Sequence, residues 1–277
     1  MAVIAMTREM ATRGKDVAQG LAERLGLAIV HHEVVEHDVA NLSGLSESEV
    51  HRFLEGQSFL MERLRIDPAR VSRYTAHEIL ELAAKGNVII RGWGASYLLR
   101  SVPHVVSVRI CAPMEFREQT LMERLQISNR AAARREIERN DASHSAAMQR
   151  LYGGNWRAPL HYAMVLNTAR VPVDECIGHV ARLVASPAFA ETPRSHMHLM
   201  DQVVAARVRH HISKQFSAMG PAVGIEPMVK EGKVTLIGAC SDPAMISEII
   251  RIVHGVDGVR SVESRIEHIA FVPIGGA

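Results

Sequence analysis

What the chain lacks narrows the field first. Its three cysteines, Cys111, Cys176 and Cys240, are scattered and odd in number, which argues against a disulfide framework and for a reducing compartment. Each sits among short apolar stretches and reads as a buried structural thiol rather than a nucleophile. No segment approaches the roughly 20 apolar residues that a helix needs to span a bilayer. The opening MAVIAM meets Arg8 and Glu9 too soon for a signal h-region. A formal charge of only +2 removes the electrostatic argument for nucleic acid, although fifteen histidines would add charge in mild acid. Neither half carries an internal repeat or a low-complexity tract. The expectation from these absences is a soluble cytoplasmic protein with no transmembrane segment and no nucleic-acid partner.

What is present suffices for two domains, with 277 residues of which 47% are hydrophobic. The apolar run at residues 2–6 suits a buried parallel strand. Val17, Ala18, Leu21, Ala22 and Leu25 then recur at helical spacing up to a stop at Gly26. Polar-rich helical patches follow over residues 46–54 and 58–64, and a longer helix over 74–84 ends at Lys85-Gly86. NVIIRGWGA places a second strand at 88–90 before a glycine-bearing turn. HVVSVRICA gives a third strand, with a helix over 115–125 after Pro113. MVLNT at 164–168 gives a fourth, with a helix over 173–184. Strands alternating with helices predict a parallel sheet covered on both faces.

Residues 186–198, SPAFAETPRSHMH, break this rhythm and read as a linker between domains at 1–185 and 199–277. Beyond it, Met200, Val204, Val208 and Ile212 mark an amphipathic helix. Strands are expected over 225–230 and 233–239, joined by a tight turn at Glu231-Gly232. Asp242 can cap the next helix with Pro243 at its first position, and Ala244, Ile246, Ile249, Ile250 and Val253 form its buried face. A last strand follows a glycine-bounded turn. This is a small α+β module.

The stretch Thr7 to Lys15, TREMATRGK, poses the functional question. A strand running into a loop and a helix start is a natural anion site, because unpaired amides and the positive end of the helix dipole point at the ligand. The phosphate-loop pattern G-x-x-x-x-G-K-[ST], anchored on Gly14 and Lys15, wants glycine at Glu9 and a hydroxyl at Asp16. On pattern alone, a chance Gly-Lys at a helix start explains the stretch as well as a phosphate loop does.

The order of elements adds to this. The chain from Val3 to Val184 resembles the cytidylate-kinase-like family, relatives of the nucleoside monophosphate kinases. The motifs carrying the resemblance are TREMATRGKDVAQGLAERLGL, NVIIRGWGASYLL, VRICAPMEFREQTLMERLQIS, ARREIERNDASHSAAMQRLYGGNW and HYAMVLNTARVPVDECI. It implies an α/β P-loop kinase-like domain. It also implies transfer of the γ-phosphoryl of ATP, with Mg, to a nucleoside monophosphate such as CMP. Arg8, Thr12, Arg13, Gly14, Lys15 and Asp16 would hold the nucleotide. Lys15, Arg134, Arg135 and Arg139 would carry catalysis, the last three from a closing lid. Arg91, Gly92, Trp93 and Asp141 would form the acceptor site.

The chain departs from the family pattern at ligand-facing positions. Ala11, Thr12 and Arg13 stand where Gly-Ser-Gly is expected. Trp93 replaces an arginine and cannot pair bidentately with phosphate, although Arg91, two residues earlier, points to the same face. His144 replaces a lid arginine, and Ala158 and Ala163 stand where aspartates are common. Relaxed or altered catalysis is therefore expected, and the competing reading is an inactive kinase-fold scaffold or sensor. Residues 201–269 resemble a BON domain, on DQVVAARVRHHI and on the stretches Gly232 to Gly238 and Gly255 to Val259. The resemblance implies docking of a protein or phospholipid partner through residues 199–277. His31-His32, His196-x-His198 and His210-His211 fall on separate elements and give no convergent metal site. Glu33, His37 and Asp38 read as solvated surface.

Overall fold

The computed structural model describes residues 1–30, 32–54, 67–92, 94–216 and 224–268, with the backbone alone for residues 32–35 and 42. Among them the chain divides into two compact units, Met1–Ser195 and His196–Ala277.

In the first unit, residues 3–7 are all buried and only Arg8 emerges. Burial on both faces requires this of a central parallel strand. This strand, β1 (Val3–Arg8), pairs in parallel with β3 (Val88–Arg91) and β4 (Val105–Cys111). β2 (Ala28–Val30) pairs with β3, and β5 (Met164–Asn167) with β4, giving the order β2-β3-β1-β4-β5. The edge strand β2 is an addition to the sequence expectation; three residues are too short to show a period.

Helix α1 (Gly14–Leu25) follows β1 and ends at Gly26 in the left-handed conformation, as the sequence predicts. It packs with α8 (Val173–Val184) against the sheet, through Val17, Ala18 and Leu21 on one side and Cys176, Ile177 and Val180 on the other. Gly20 permits the approach, since a Cβ there would lie 2.2 Å from Ile177 Cδ1.

Helices α2 (His32–Ser43), α3 (Glu47–Leu54) and α4 (Pro68–Lys85) form a contacting group, with α4 also on β3. The helix expected over 58–64 lies outside the described residues. Expected as plain surface, the segment of Glu33, His37 and Asp38 is part of α2. His37 there bonds Glu47 at 2.6 Å, a contact that raises its pKa. The short α5 (Ala95–Leu98), α6 (Met114–Leu125) and the 23-residue α7 (Arg130–Tyr152) complete the unit.

The boundary between the two units falls within the segment expected as a linker, which is itself partly helical. Residues 187–189 form a 3-10 turn, and α9 (Pro193–Phe216) begins well before residue 199. A reciprocal cap explains the early start: Ser195 N donates to Thr192 Oγ1 at 3.1 Å, and Thr192 N donates to Ser195 Oγ at 2.9 Å. Pro193 fits the first helical position.

The second unit has β6 (Glu226–Lys230), β7 (Lys233–Cys240), α10 (Pro243–His254) and β8 (Ser261–His268). β6 and β7 are antiparallel, and β7 and β8 parallel. The turn at Glu231-Gly232 has φ values of 52° and 75°, the left-handed pair a two-residue hairpin requires. Asp242 Oδ1 accepts from Ala244 N at 2.8 Å, the expected cap. Val204, Val208 and Ile212 of α9 meet Val234, Leu236, Ile249 and Val253 in a core of their own. A core confined to one unit predicts that a fragment of residues 193–277 melts cooperatively by circular dichroism. A fragment lacking a sigmoidal transition and amide chemical-shift dispersion would show that this unit depends on the first.

Candidate functional site

The loop between β1 and α1 is held on every side. Glu9 is buried; its carboxylate takes an ion pair from Arg109 and a bond from Ala112 N at 3.3 Å. Thr12 Oγ1 donates to Glu9 O at 2.8 Å, and Thr168 Oγ1 donates to Thr12 O at 2.7 Å. Arg117 Nε donates to Met10 O at 2.7 Å. Within this frame Ala11 and Arg13 adopt φ of 60° and 57°, a region that costs a non-glycine residue about 1–2 kcal/mol. These are two of the positions where the family pattern has glycine. The loop lacks these glycines and holds a backbone that glycine adopts most easily.

Two features make this tolerable. The Ala11 methyl is buried with Leu121, Ala133 and Ile137. Arg13 is exposed, and its Nε donates to Asp16 Oδ2 at 3.0 Å. Gly14 remains because the chain crowds it: a Cβ there would stand 2.9 Å from Arg8 Cβ. Among the described residues, none of the amides from Ala11 to Lys15 donates to a backbone or side-chain acceptor.

Beside these amides lies a cleft of about 580 Å³, lined by Arg8, Thr12, Arg13, Gly14, Lys15 and Asp16 together with Phe116, Gln119, Thr120, Glu123 and Arg124 of α6. All six nucleotide-binding residues expected from the sequence therefore come together. Lys15 is exposed and has no ion-pair partner among the described residues. Arg124 is an addition. The helical spacing of residues 116, 120 and 124 was a readable signal that one face of α6 turns to the loop.

Arg8 and Arg124 also line a second cleft of about 300 Å³, with Arg91, Gly92, His51, His144 and Trp156. Arg91 and Gly92, two of the residues expected at an acceptor site, line this cleft, while Trp93 lies outside the described residues. His144 meets the Trp156 ring edge-on at 4.4 Å between centroids. Burial pushes its pKa down to about 4, with Arg157 and Arg8 adding to the shift and Asp141 opposing it. The position where the family pattern has arginine therefore carries no charge near neutral pH.

Asp141 is not on this side. It is buried, grips Arg117 bidentately at 2.8 and 2.7 Å, and accepts from Arg157 at 2.9 Å. It lines a separate open cleft with Glu9, Arg117 and Arg157. None of Arg134, Arg135 and Arg139 lines either of the first two clefts. Arg134 and Arg130 both bond the buried Glu118, Arg139 bonds Glu136 at 2.6 Å, and Arg135 is exposed. Among the described residues no three histidine, cysteine or acidic groups converge as a metal site.

A five-stranded parallel sheet with a strand, loop and helix of this kind at its centre defines a P-loop kinase fold. The chain belongs to the cytidylate kinase-like family, whose family model matches residues 3–170, and it carries a BON domain matched at residues 200–269. An uncharacterized protein from Eubacterium ventriosum is similar in structure at 16% identity, over 67% of this chain and 99% of its own, with a TM-score of 0.53. The YorR protein of Bacillus subtilis, solved in complex with phosphorylated GDP, is 12% identical over 69% of this chain and 100% of its own, at a TM-score of 0.40. A shikimate kinase from Bacteroides thetaiotaomicron is 14% identical over 67% and 99%, also at 0.40. The first likeness concerns the fold alone. No curated protein matches the chain.

The strained loop predicts two different responses to restored glycine. Arg13→Gly relieves strain and loses only an exposed ion pair, so it should raise unfolding stability by about 0.5–1 kcal/mol in urea. Ala11→Gly relieves the same strain but gives up a buried methyl worth about 0.8 kcal/mol, so it should stay near zero. Equal destabilisation by both would contradict the left-handed geometry.

His144 predicts a pH effect. Its folded pKa lies below the unfolded value, so the unfolded chain takes the proton first. The stability this provides is present above about pH 6.5 and is lost as pH falls toward 4. Burial raises the Glu78 carboxyl to about 7, with Asp38 and Glu81 adding to the shift, and this group works in the opposite sense. A comparison of wild type with His144→Gln removes that background. The variant should lose less stability between pH 7 and 4.5, by on the order of 2 kcal/mol. Parallel pH profiles would contradict a buried neutral imidazole.

Proposed function

We propose that the chain binds a nucleoside polyphosphate, with ATP the expected donor, at the loop between β1 and α1. The observation that carries this reading is the row of undonated amides from Ala11 to Lys15 beside two left-handed residues. Alternating backbone of this kind turns successive N–H groups into one anion-sized concavity, at the positive end of a helix dipole. Lys15, Arg8, Arg13 and Arg124 would add charge from the walls of the cleft. Magnesium held through phosphates needs only one or two carboxylates, and Asp16 and Glu123 line the same cleft. ATP with magnesium, when bound, would supply the transferable γ-phosphoryl. Arg8, Arg91 and Arg124 would receive the phosphate of an acceptor monophosphate such as CMP in the second cleft.

Transfer itself is slow in this reading. Such reactions depend on charge placed around the transferring group. Here His144 is neutral and Arg134 is engaged with Glu118. The same two observations favour the second reading, a nucleotide-responsive scaffold whose BON domain docks a protein or phospholipid partner. Titration calorimetry of the full chain with ATP and magnesium should detect weak binding. Lys15→Ala should weaken it about 10- to 150-fold, the value of one charge-assisted bond. A coupled assay with CMP should run below the usual range of about 1–100 per second. No heat with any nucleoside triphosphate at millimolar concentration, or binding indifferent to Lys15, would overturn the binding reading. Turnover inside that range would overturn the slow-transfer reading alone.

A further inference from the structure

The second unit offers one unpaired sheet edge that is long and regular. The order β6-β7-β8 leaves β6 and β8 outermost, and no described strand pairs with the outer side of β8. Pro227 blunts the β6 edge, since proline has no N–H to offer a further strand. β8 contains no proline and no bulge, and its register with β7 is unbroken from Ser261 to His268. Natural sheets usually disarm such an edge. On β8 the exposed side chains of the open face carry charges of both signs, which repel a partner strand in most registers but not in one.

Val262, Ser264 and Ile266 pair with Val234, Leu236 and Gly238, on the face packed by α9 and α10. Glu263 and Arg265 pair with Thr235 and Ile237 on the open face and are exposed. A second copy of β8 laid antiparallel, with a two-fold axis through Ser264, places each Glu263 opposite the other copy's Arg265. Val262 then faces Ile266, and Ser261 faces Glu267. From residue 261 to 267 each residue meets a compatible partner, and both helix layers fall on the same side of the joined sheet. A shift of two residues in either direction puts Glu263 against Glu263 or Arg265 against Arg265, which repel. Charge therefore selects one register.

We infer that the BON domain of this chain self-associates through β8, forming a six-stranded sheet across a two-fold axis, with a second copy of this chain as the partner. An isologous contact of this kind satisfies the backbone groups of both edges at once. Val262 and Ile266, only partly buried in one copy, extend the core of the other. The Glu263–Arg265 pair inside each strand, at 2.7 Å, exchanges for a pair between strands, two for two in the dimer.

Sedimentation equilibrium of the full chain, from micromolar to near-millimolar concentration, tests this. The wild type should move from single-chain to double mass. Glu263→Arg and Arg265→Glu should each raise the dissociation constant about tenfold, because either change creates two like-charged pairs per dimer. The double variant E263R/R265E restores both pairs and should return to within about threefold of wild type. A wild type that stays at single mass, or a folded double variant that stays dissociated, overturns the inference. Hydrogen exchange on the unmodified chain gives an answer independent of any variant. The amides of residues 261–268 should gain protection as concentration rises, and protection independent of concentration overturns the inference.

Discussion

The guanidinium of Arg117 is the contact on which the rest of the site depends. Its Nε holds the carbonyl of Met10, and its two terminal nitrogens hold Asp141 on α7. Glu9 stands 3.7 Å from the same group. One buried side chain thus ties the loop to the helix that covers it. Buried ions are costly unless well paired, and losing one partner leaves the other charge stranded. The geometry is over-determined for that reason. Left-handed alanine and arginine persist only where surrounding bonds outweigh their strain. Here Arg117, Thr12, Thr168 and the Glu9 ion pair supply those bonds.

The departures from the family pattern take on a different meaning in this light. Read as letters, Ala11 and Arg13 are losses of glycine. Read as backbone, they are substitutions that kept the cradle and changed its lining. Ala11 brings a methyl into the cluster with Leu121 and Ile137, and Arg13 brings a charge to the rim. The cleft beside Arg91 departs further from the family pattern. A neutral histidine against an indole edge has taken the place of a cation, while Arg91, Arg8 and Arg124 keep that cleft basic.

Much of the fold was legible in the sequence because its signals are local. The apolar run of β1, the Gly26 stop and the Asp242-Pro243 start each depend on a few adjacent residues. The family and the BON domain were legible for a related reason, the colinear order of several modest motifs. β2 escaped because an edge strand of three residues has no period. The start of α9 escaped because Thr192-Pro193 fits linker composition as well as it fits a cap. Within the site, the residues of the first cleft that come from the loop were readable because they form one contiguous stretch. The placement of Asp141 and the lid arginines was not. Basic and acidic residues on one helix do not reveal whether they face a ligand, one another, or a buried partner such as Glu118. That the loop keeps glycine-like backbone is equally invisible in composition, because it is imposed by Arg117 and Thr168, which are distant in sequence.

The proposed binding requires that the amides of Ala11 to Lys15 converge on a phosphate group. Amide-resolved NMR of the full chain during titration with inorganic triphosphate tests it without reference to any nucleotide or reaction. Saturable downfield shifts are expected for the amides of Ala11, Thr12, Arg13, Gly14 and Lys15, larger than those elsewhere in the chain. Unmoved amides at these five positions, with or without shifts at other basic surfaces, would contradict it.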